Sequence, residues 1–155
     1  MIYEFCAENV TLLEKAMEAG ARRIELCDNL AVGGTTPSYG VTKAAVELAA
    51  NYDTTIMTMI RPRGGDFVYN DLEIAIMLED IRLTAQAGSQ GVVFGVLTAD
   101  KKLDKPNLEK LIAASKGMEI VFHMAFDELS DEDQLEAIDW LSQAGVTRIL
   151  TRAGV

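Results

Sequence analysis

Two arginines, two glycines and one aspartate lie close together in the segment RPRGGD at residues 61–66. An arginine guanidinium presents a planar fork of donors that matches a carboxylate or a phosphate. Pro62 favours an extended Arg61, and the two glycines allow a ligand to approach the backbone closely. The segment therefore predicts a loop in which Arg61 and Arg63 bind a small anion and Asp66 orients them. The alternative is a surface turn that carries a solvated Asp–Arg pair.

His123 is the one histidine of the chain, and Asp127 follows it by four residues. An imidazole and a carboxylate on one loop act as a base and its orienting partner, or bind a ligand together. We therefore expect His123 and Asp127 to handle protons at the site that the arginines serve. The alternative is that His123 pairs with a buried backbone carbonyl.

A carboxylate, Glu25, lies two residues before Cys27 in a mostly apolar segment. The alternation of a strand places both side chains on one face. A carboxylate inside a strand is costly to bury unless it is paired, and Arg61 on the next strand is the expected partner. The pattern leaves open whether this pair is structural or catalytic.

The two cysteines, Cys6 and Cys27, are expected at equivalent ends of two neighbouring strands. Neighbouring strands lie about 4.8 Å apart, so two thiolates in this arrangement could ligate a soft ion such as Cu(I). The alternative is that each cysteine is a small buried apolar residue. The segment GGTTPS at residues 33–38 offers hydroxyl and N–H groups that could hold an oxyanion, or it forms an ordinary turn.

Short apolar runs alternate with helical patterns along the whole chain. The predicted strands cover residues 2–6, 23–27, 54–61, 91–96, 119–123 and 148–151. Strict alternation predicts a parallel sheet with right-handed crossovers, which is an α/β fold. An open doubly wound sheet and a TIM (β/α)8-type barrel both fit the pattern. Polar residues recur at the ends of many of the strands, and this distribution favours the barrel, whose site is assembled from strand ends.

The helices between the strands are expected to begin at residues that cap a helix N-terminus. The predicted caps are Asn9, Asn70 (in a capping box with Glu73), Asp104 and Ser130. The helix that follows Ser130 is expected to bury Leu135, Ile138 and Leu141.

The composition excludes several classes of protein. A net charge of −10 over 155 residues argues against a nucleic-acid binder and against adsorption to anionic membranes. We see neither a secretory signal nor an apolar run of the roughly 20 residues that span a bilayer. Two cysteines without a secretion signal indicate reduced thiols in the cytoplasm.

Taken together, these segments resemble the CutC family. The matching stretches are residues 25–27, 33–40, 60–67, 95–97, 122–123, 125–127 and 148–151. The resemblance covers the whole chain and implies a cytoplasmic TIM barrel, often oligomeric, that is linked to copper homeostasis. It also implies Cu(I) binding by cysteines at the positions of Cys6 and Cys27. The chain has Met124 where the family usually has Arg, and Arg152-Ala153 where the family usually has Ser-Gly.

A barrel of this family has eight strands, whereas the sequence predicts six. We therefore expect residues 1–155 to form one incomplete barrel domain whose unpaired edge strands favour a homo-oligomer. Two functions remain open: a copper-linked protein that binds Cu(I), or an enzyme or binder of a small anionic ligand. The residues expected to serve the second function are Glu25, Arg61, Arg63, Asp66, His123 and Asp127.

Overall fold

The computed structural model of the chain describes residues 1–152, in which one parallel sheet has the strand order β1-β2-β3-β4-β5-β6. The strands are β1 (Glu4–Glu8), β2 (Arg23–Cys27), β3 (Thr55–Met59), β4 (Gly91–Phe94), β5 (Glu119–Phe122) and β6 (Arg148–Ile149). The helices are α1 (Leu13–Glu18), α2 (Tyr39–Ala49), α3 (Asp71–Gln86), α4 (Lys105–Ala114) and α5 (Asp131–Ala144). Because each strand pairs with the next one along the chain, the sheet follows the first six strands of a TIM-type barrel. The predicted fold class is confirmed, as is its incompleteness among the described residues.

The sheet separates two kinds of buried surface. Its outer face packs against the helices in two apolar clusters, one around Ile24 and Ile56 and one around Val92 and Phe94. Its inner face carries Cys27, Met57, Met59, Val93 and Val121, with Leu150 packed against them. Parallel strands covered on both faces read as continuous apolar runs, which is why the sequence shows little alternation there.

Most helices begin at the predicted caps. The Asn70 side chain accepts from the Glu73 amide at 2.9 Å, and the Glu73 carboxylate accepts from the Asn70 amide at 3.1 Å, which completes the predicted capping box. Asp104 and Ser130 likewise accept hydrogen bonds from the first turns of α4 and α5. These side chains satisfy amide donors that the first turn of a helix leaves unpaired.

The expected cap at Asn9 is wrong. Asn9 has a φ of 51° and its side-chain amide donates to Asp28 at 3.1 Å, so it joins two loops instead of starting a helix. Leu12 also has a positive φ, of 58°, and α1 begins one residue later. The sequence pattern missed this because a tertiary contact takes the side chain that would otherwise cap.

The predicted buried face of α5 is only partly right. Leu141 is fully buried, but the side chains of Leu135 and Ile138 are 72% and 46% exposed, and Ala137 is buried in their place. A face that presents a small residue lets a helix approach its sheet closely, and periodicity alone does not indicate this preference.

None of the helices described within residues 1–152 is long and apolar enough to cross a membrane. The last three residues of the predicted domain, including Ala153, lie outside the described residues.

The capping box provides a test of this part of the fold. Asn70→Ala should lower the free energy of unfolding by about 1 kcal/mol, because the first turn of α3 then loses its side-chain acceptor. Urea unfolding followed by circular dichroism measures the change. The matched control is Asn51→Ala, at an exposed asparagine in the Ala50–Tyr52 turn, which should change stability little. Equal losses in the two variants would contradict a role for the cap.

Candidate functional site

A pocket of about 320 Å³ opens at the C-terminal ends of the strands. Its walls come from the segments that follow β2, β3, β5 and β6. The lining residues are Glu25, Val32, Gly33, Met59, Arg61, Gly65, Phe67, His123, Met124, Asp127, Glu128, Leu150 and Arg152. Four of the six residues predicted to serve an anion or a reaction therefore line one cavity, and Arg63 and Asp66 do not.

Arg61 is buried, with 5% of its surface exposed. Its guanidinium donates to the carbonyls of Val32 at 2.7 Å, Gly34 at 3.0 Å and Gly65 at 2.8 Å. The expected ion pair with Glu25 is wrong, because the loop carbonyls take the terminal nitrogens of the guanidinium. Within residues 1–152 no carboxylate forms an ion pair with Arg61. A positive charge is therefore buried at this edge, with carbonyl oxygens as its hydrogen-bond acceptors.

Arg63 points away from the pocket. It bonds Glu73 at 2.5 Å and Asp66 at 3.1 Å, and its guanidinium lies 5.1 Å from the centre of the Tyr69 ring. The expectation that Arg63 grips an anion together with Arg61 is therefore wrong. Asp66, whose pKa is lowered by a hydrogen bond from the Val68 amide and by Arg63, is a loop residue outside the cavity. For these two side chains the alternative reading, a solvated surface pair, describes the arrangement better.

His123 is positioned as the N-cap of the 3-10 turn Met124–Glu128, one residue beyond β5. Its Nδ1 accepts a hydrogen bond from the Ala125 amide at 3.1 Å. Burial and the positive charge of Arg61 lower the pKa of His123 to about 3, so the ring is neutral at pH 7. A nitrogen that accepts from an amide carries no hydrogen, so the hydrogen of the neutral ring is on Nε2. His123 is therefore a donor at neutral pH, and the expected role as a base is wrong.

Asp127 lines the same pocket but does not orient the imidazole. Its carboxylate accepts from the Thr151 hydroxyl at 2.5 Å and from the Arg152 amide at 3.1 Å. Asp127 thus joins the turn after β5 to the segment after β6. The expected His–Asp pair is wrong, because the Ala125 amide occupies the nitrogen that an orienting carboxylate would need.

Below the pocket, two thiols and a carboxylate form a compact group on the inner face of the sheet. The register places Cys6 of β1 directly beside Glu25 of β2, and Cys27 lies two residues further along β2. One ligand atom from each of the three residues lies within 4.8 Å of the others. The Cys27 thiol faces Glu25 at 3.7 Å, which is a long contact even for a sulfur donor. Cys6 is exposed and Cys27 is buried, so the group has one accessible thiol.

The three groups shift one another's protonation. The pKa of Cys6 is lowered, chiefly by its hydrogen-bonding interaction with the Cys27 thiol, against the opposing effects of burial and of the negative charges of Glu25 and Glu4. The same bond, together with burial, raises the pKa of Cys27. Burial and the negative charge of Glu4 raise the pKa of Glu25 to about 6. The cluster therefore contains one thiol that ionises more readily than the other, and a carboxylate that is protonated in mildly acidic solution.

Comparison with known proteins decides the family. The model of the CutC family matches residues 1–155. A CutC family protein of Enterococcus faecalis is 54% identical over 154 residues, which are 99% of this chain and 74% of that protein. The chain belongs to the CutC family. A second CutC family protein, from Streptococcus pyogenes, is 53% identical over 97% of this chain and 72% of its own length.

The solved structures agree with this assignment. The crystal structure of a CutC protein from Streptococcus agalactiae matches with a TM-score of 0.94 at 50% identity, covering 97% of this chain and 72% of that one. A protein provisionally assigned as a phosphonomutase, from Burkholderia cenocepacia, matches with a TM-score of 0.71 at 18% identity, over 97% of this chain and 64% of that one. The second likeness shows the fold alone. The chain spans about three quarters of the first CutC relatives and 58% of a CutC family protein from Bacteroides fragilis.

Two glycines of this CutC chain shape the site through close contacts that the sequence did not predict. A Cβ on Gly95, just after β4, would lie 2.6 Å from His123 Cε1 and 2.8 Å from its Nδ1. A Cβ on Gly34 would lie 3.0 Å from Cys27 Sγ, and Gly34 has a φ of 94° that side chains rarely adopt. A glycine directly after a buried strand was the available signal, since such positions often mark a close approach.

The raised pKa of Glu25 predicts that the free energy of unfolding of the metal-free protein depends on pH. Between the ordinary pKa of 4.5 and the folded value of about 6, the folded chain binds more protons than the unfolded chain, so stability falls as the pH rises. Glu25→Gln is neutral at every pH. It should therefore raise the free energy of unfolding by about 2 kcal/mol at pH 7.5 and leave it nearly unchanged at pH 4.

Urea unfolding of both proteins at the two pH values measures this difference. Glu109→Gln, at an exposed position of α4, is the control and should behave alike at both values. A gain for Glu25→Gln that is the same at pH 4 and pH 7.5 would show that carboxylate burial is not its source.

Proposed function

We propose that this protein binds Cu(I) through the thiolates of Cys6 and Cys27. The observation that supports this most directly is the cluster itself, in which two sulfurs and one carboxylate oxygen lie within 4.8 Å of one another. Cu(I) prefers soft sulfur ligands and accepts low coordination numbers, so two thiolates suffice. Glu25 is the third, harder donor and is better suited to receive protons than to hold the ion.

The electrostatics of the pair suit the capture of a cation. The Cys6 thiol is exposed and has a lowered pKa, so it is the first sulfur to meet an incoming ion. Cys27, whose pKa is raised, keeps its proton in the metal-free protein, and binding of Cu(I) replaces that proton. Glu25, next to Cys27, is placed to accept it on the way to solvent. Metal binding is therefore expected to release protons.

The family supports the same proposal. The relative from Streptococcus agalactiae carries a provisional assignment to copper homeostasis, and its structure matches this chain closely. Two free cysteines suit a reducing compartment, and we extend the proposal to the cytoplasm on that ground. A homo-oligomer stays a prediction from the exposed sheet edges.

Competition with a chromophoric Cu(I) chelator under anaerobic conditions tests the proposal. Cys6→Ser and Cys27→Ser should each weaken Cu(I) binding by roughly a hundredfold or more, because each removes one of two soft ligands. The control is Met59→Leu, which removes a nearby sulfur on the same face while nearly conserving the side-chain volume. Met59→Leu should bind Cu(I) as the wild type does.

Two results would count against the proposal. Unchanged affinity in both serine variants would show that the ion binds elsewhere. A loss in Met59→Leu equal to that in the serine variants would show that the measurement reports general disturbance of the inner face. Circular dichroism of each variant separates loss of ligands from loss of fold.

A further inference from the structure

The pocket above the cysteines contains two buried nitrogen donors without partners among residues 1–152. They are Nε2 of His123 and Nε of Arg61, and each residue has 5% of its surface exposed. Both residues line the pocket. A buried donor that makes no hydrogen bond costs about 1–3 kcal/mol, and more when the group is charged. Two such donors in one cavity point to an acceptor that belongs there.

The charges of the pocket show which kind of acceptor fits. His123 is neutral, as its bond with the Ala125 amide requires, so it contributes an N–H and no charge. Arg61 contributes a full positive charge that forms no ion pair among the described residues and donates its hydrogen bonds to carbonyl oxygens. A buried charge is stable when it is paired, so an anion in the pocket would complete the arrangement.

The other walls limit the anion to a small one of single charge. Three carboxyl side chains, those of Glu25, Asp127 and Glu128, line the same cavity. They outnumber its one further cation within residues 1–152, Arg152, and would repel a dianion such as phosphate more strongly than a monoanion. Three of the five N–H groups of the guanidinium are already used on carbonyls, which leaves the Nε–H and one N–H of a terminal nitrogen. The remaining walls include Val32, Met59 and Leu150, which suit a short hydrocarbon chain.

We propose that this pocket binds a small monocarboxylate, whose carboxylate group accepts the Nε2–H of His123 and the Nε–H of Arg61. The hydrocarbon part of the ligand lies against the apolar walls. This site adjoins the thiolate cluster through Glu25, and its ligand is of a different chemical class from the ion proposed there.

The Phe67 ring packs against both donor residues. The centre of its ring is 4.9 Å from that of the imidazole and 5.1 Å from the Arg61 guanidinium carbon. Since neither donor nitrogen contacts solvent, the ligand displaces this half-buried ring when it binds. The ring then covers the hydrocarbon part of the ligand.

The Tyr69 hydroxyl is a competing acceptor for Arg61. It is buried and unpaired among the described residues, and burial raises its pKa to about 12 against the opposing charge of Arg61. It does not line the pocket. Tyr69→Phe removes this competitor. It therefore distinguishes an Arg61 N–H that is available to a ligand from one that the Tyr69 hydroxyl accepts.

The single histidine makes the test direct, because a long-range ¹H–¹⁵N spectrum contains one imidazole. At pH 7 the ¹⁵N shifts should show a hydrogen on Nε2 and none on Nδ1. Added butyrate should shift Nε2 in a saturable manner. Butylammonium, which has a similar shape and the opposite charge, should not, and inorganic phosphate should bind at least about tenfold more weakly than butyrate.

Variants separate positioning from general damage. Gly95→Ala, whose methyl group would displace the imidazole, should weaken butyrate binding about tenfold or more by calorimetry, the loss expected for one hydrogen bond to a charged group. The matched control is Gly40→Ala in α2, where the added methyl meets only the Ser38 hydroxyl at 3.9 Å. Gly40→Ala should bind butyrate as the wild type does, and Tyr69→Phe, which loses the competing hydroxyl, should bind it at least as tightly.

Several outcomes would overturn the proposal. They are a hydrogen on Nδ1, no saturable shift with butyrate, phosphate binding as tight as butyrate binding, or a tenfold loss in Tyr69→Phe. The experiments use metal-free protein and should give the same result in Cys6→Ser. Failure of the carboxylate site therefore leaves the Cu(I) proposal standing, and failure of the Cu(I) proposal leaves the carboxylate site standing.

Discussion

The loops at the C-terminal ends of the strands depend on the burial of one guanidinium. Arg61 follows β3, yet its hydrogen bonds run to Val32 and Gly34 in the loop after β2 and to Gly65 in its own loop. Its backbone joins the same loop a second time, because the Arg61 amide donates to the Thr36 hydroxyl at 2.8 Å and the Thr36 amide donates to the Arg61 carbonyl at 3.0 Å. Two long loops therefore take fixed positions around a single side chain. Without it, the walls of the pocket after β2 and β3 would have few polar contacts between them.

The strand register sets the second level of order. Because β1 and β2 are parallel with Cys6 beside Glu25, the sulfurs and the carboxylate reach the same inner face without any dedicated loop. The thiolate cluster is thus a product of sheet geometry, whereas the pocket above it is a product of loop packing. Glu25 belongs to both, since it lies in the cluster and lines the pocket. The two candidate sites therefore share a wall.

The sequence predicted the sheet, its order and the caps of three later helices because these depend on local chemistry. Alternating apolar runs, a capping box at Asn70 and the cap at Ser130 act over a few residues, and the structure confirms them. The sequence also placed the polar residues correctly at strand ends. It did not predict the direction of a side chain within a loop: Arg61 and Arg63 are two residues apart and of the same type, but one is buried in carbonyls and the other lies over Tyr69 at the surface. Only the packing of the loop after β2 decides between them. The donor role of His123 depended likewise on one amide, that of Ala125, which residue types alone do not indicate.

Gly34 contacts both candidate sites. Its carbonyl oxygen accepts a hydrogen bond from Arg61, and the position of its missing side chain lies against the sulfur of Cys27. Any side chain introduced at this position would contact the Cys27 thiol. It would also shift the peptide whose carbonyl accepts the hydrogen bond from the Arg61 guanidinium. Replacing Gly34 is therefore unsuited to asking which site matters, whereas residues such as Cys6 and Gly95 touch one site each and allow that question to be answered.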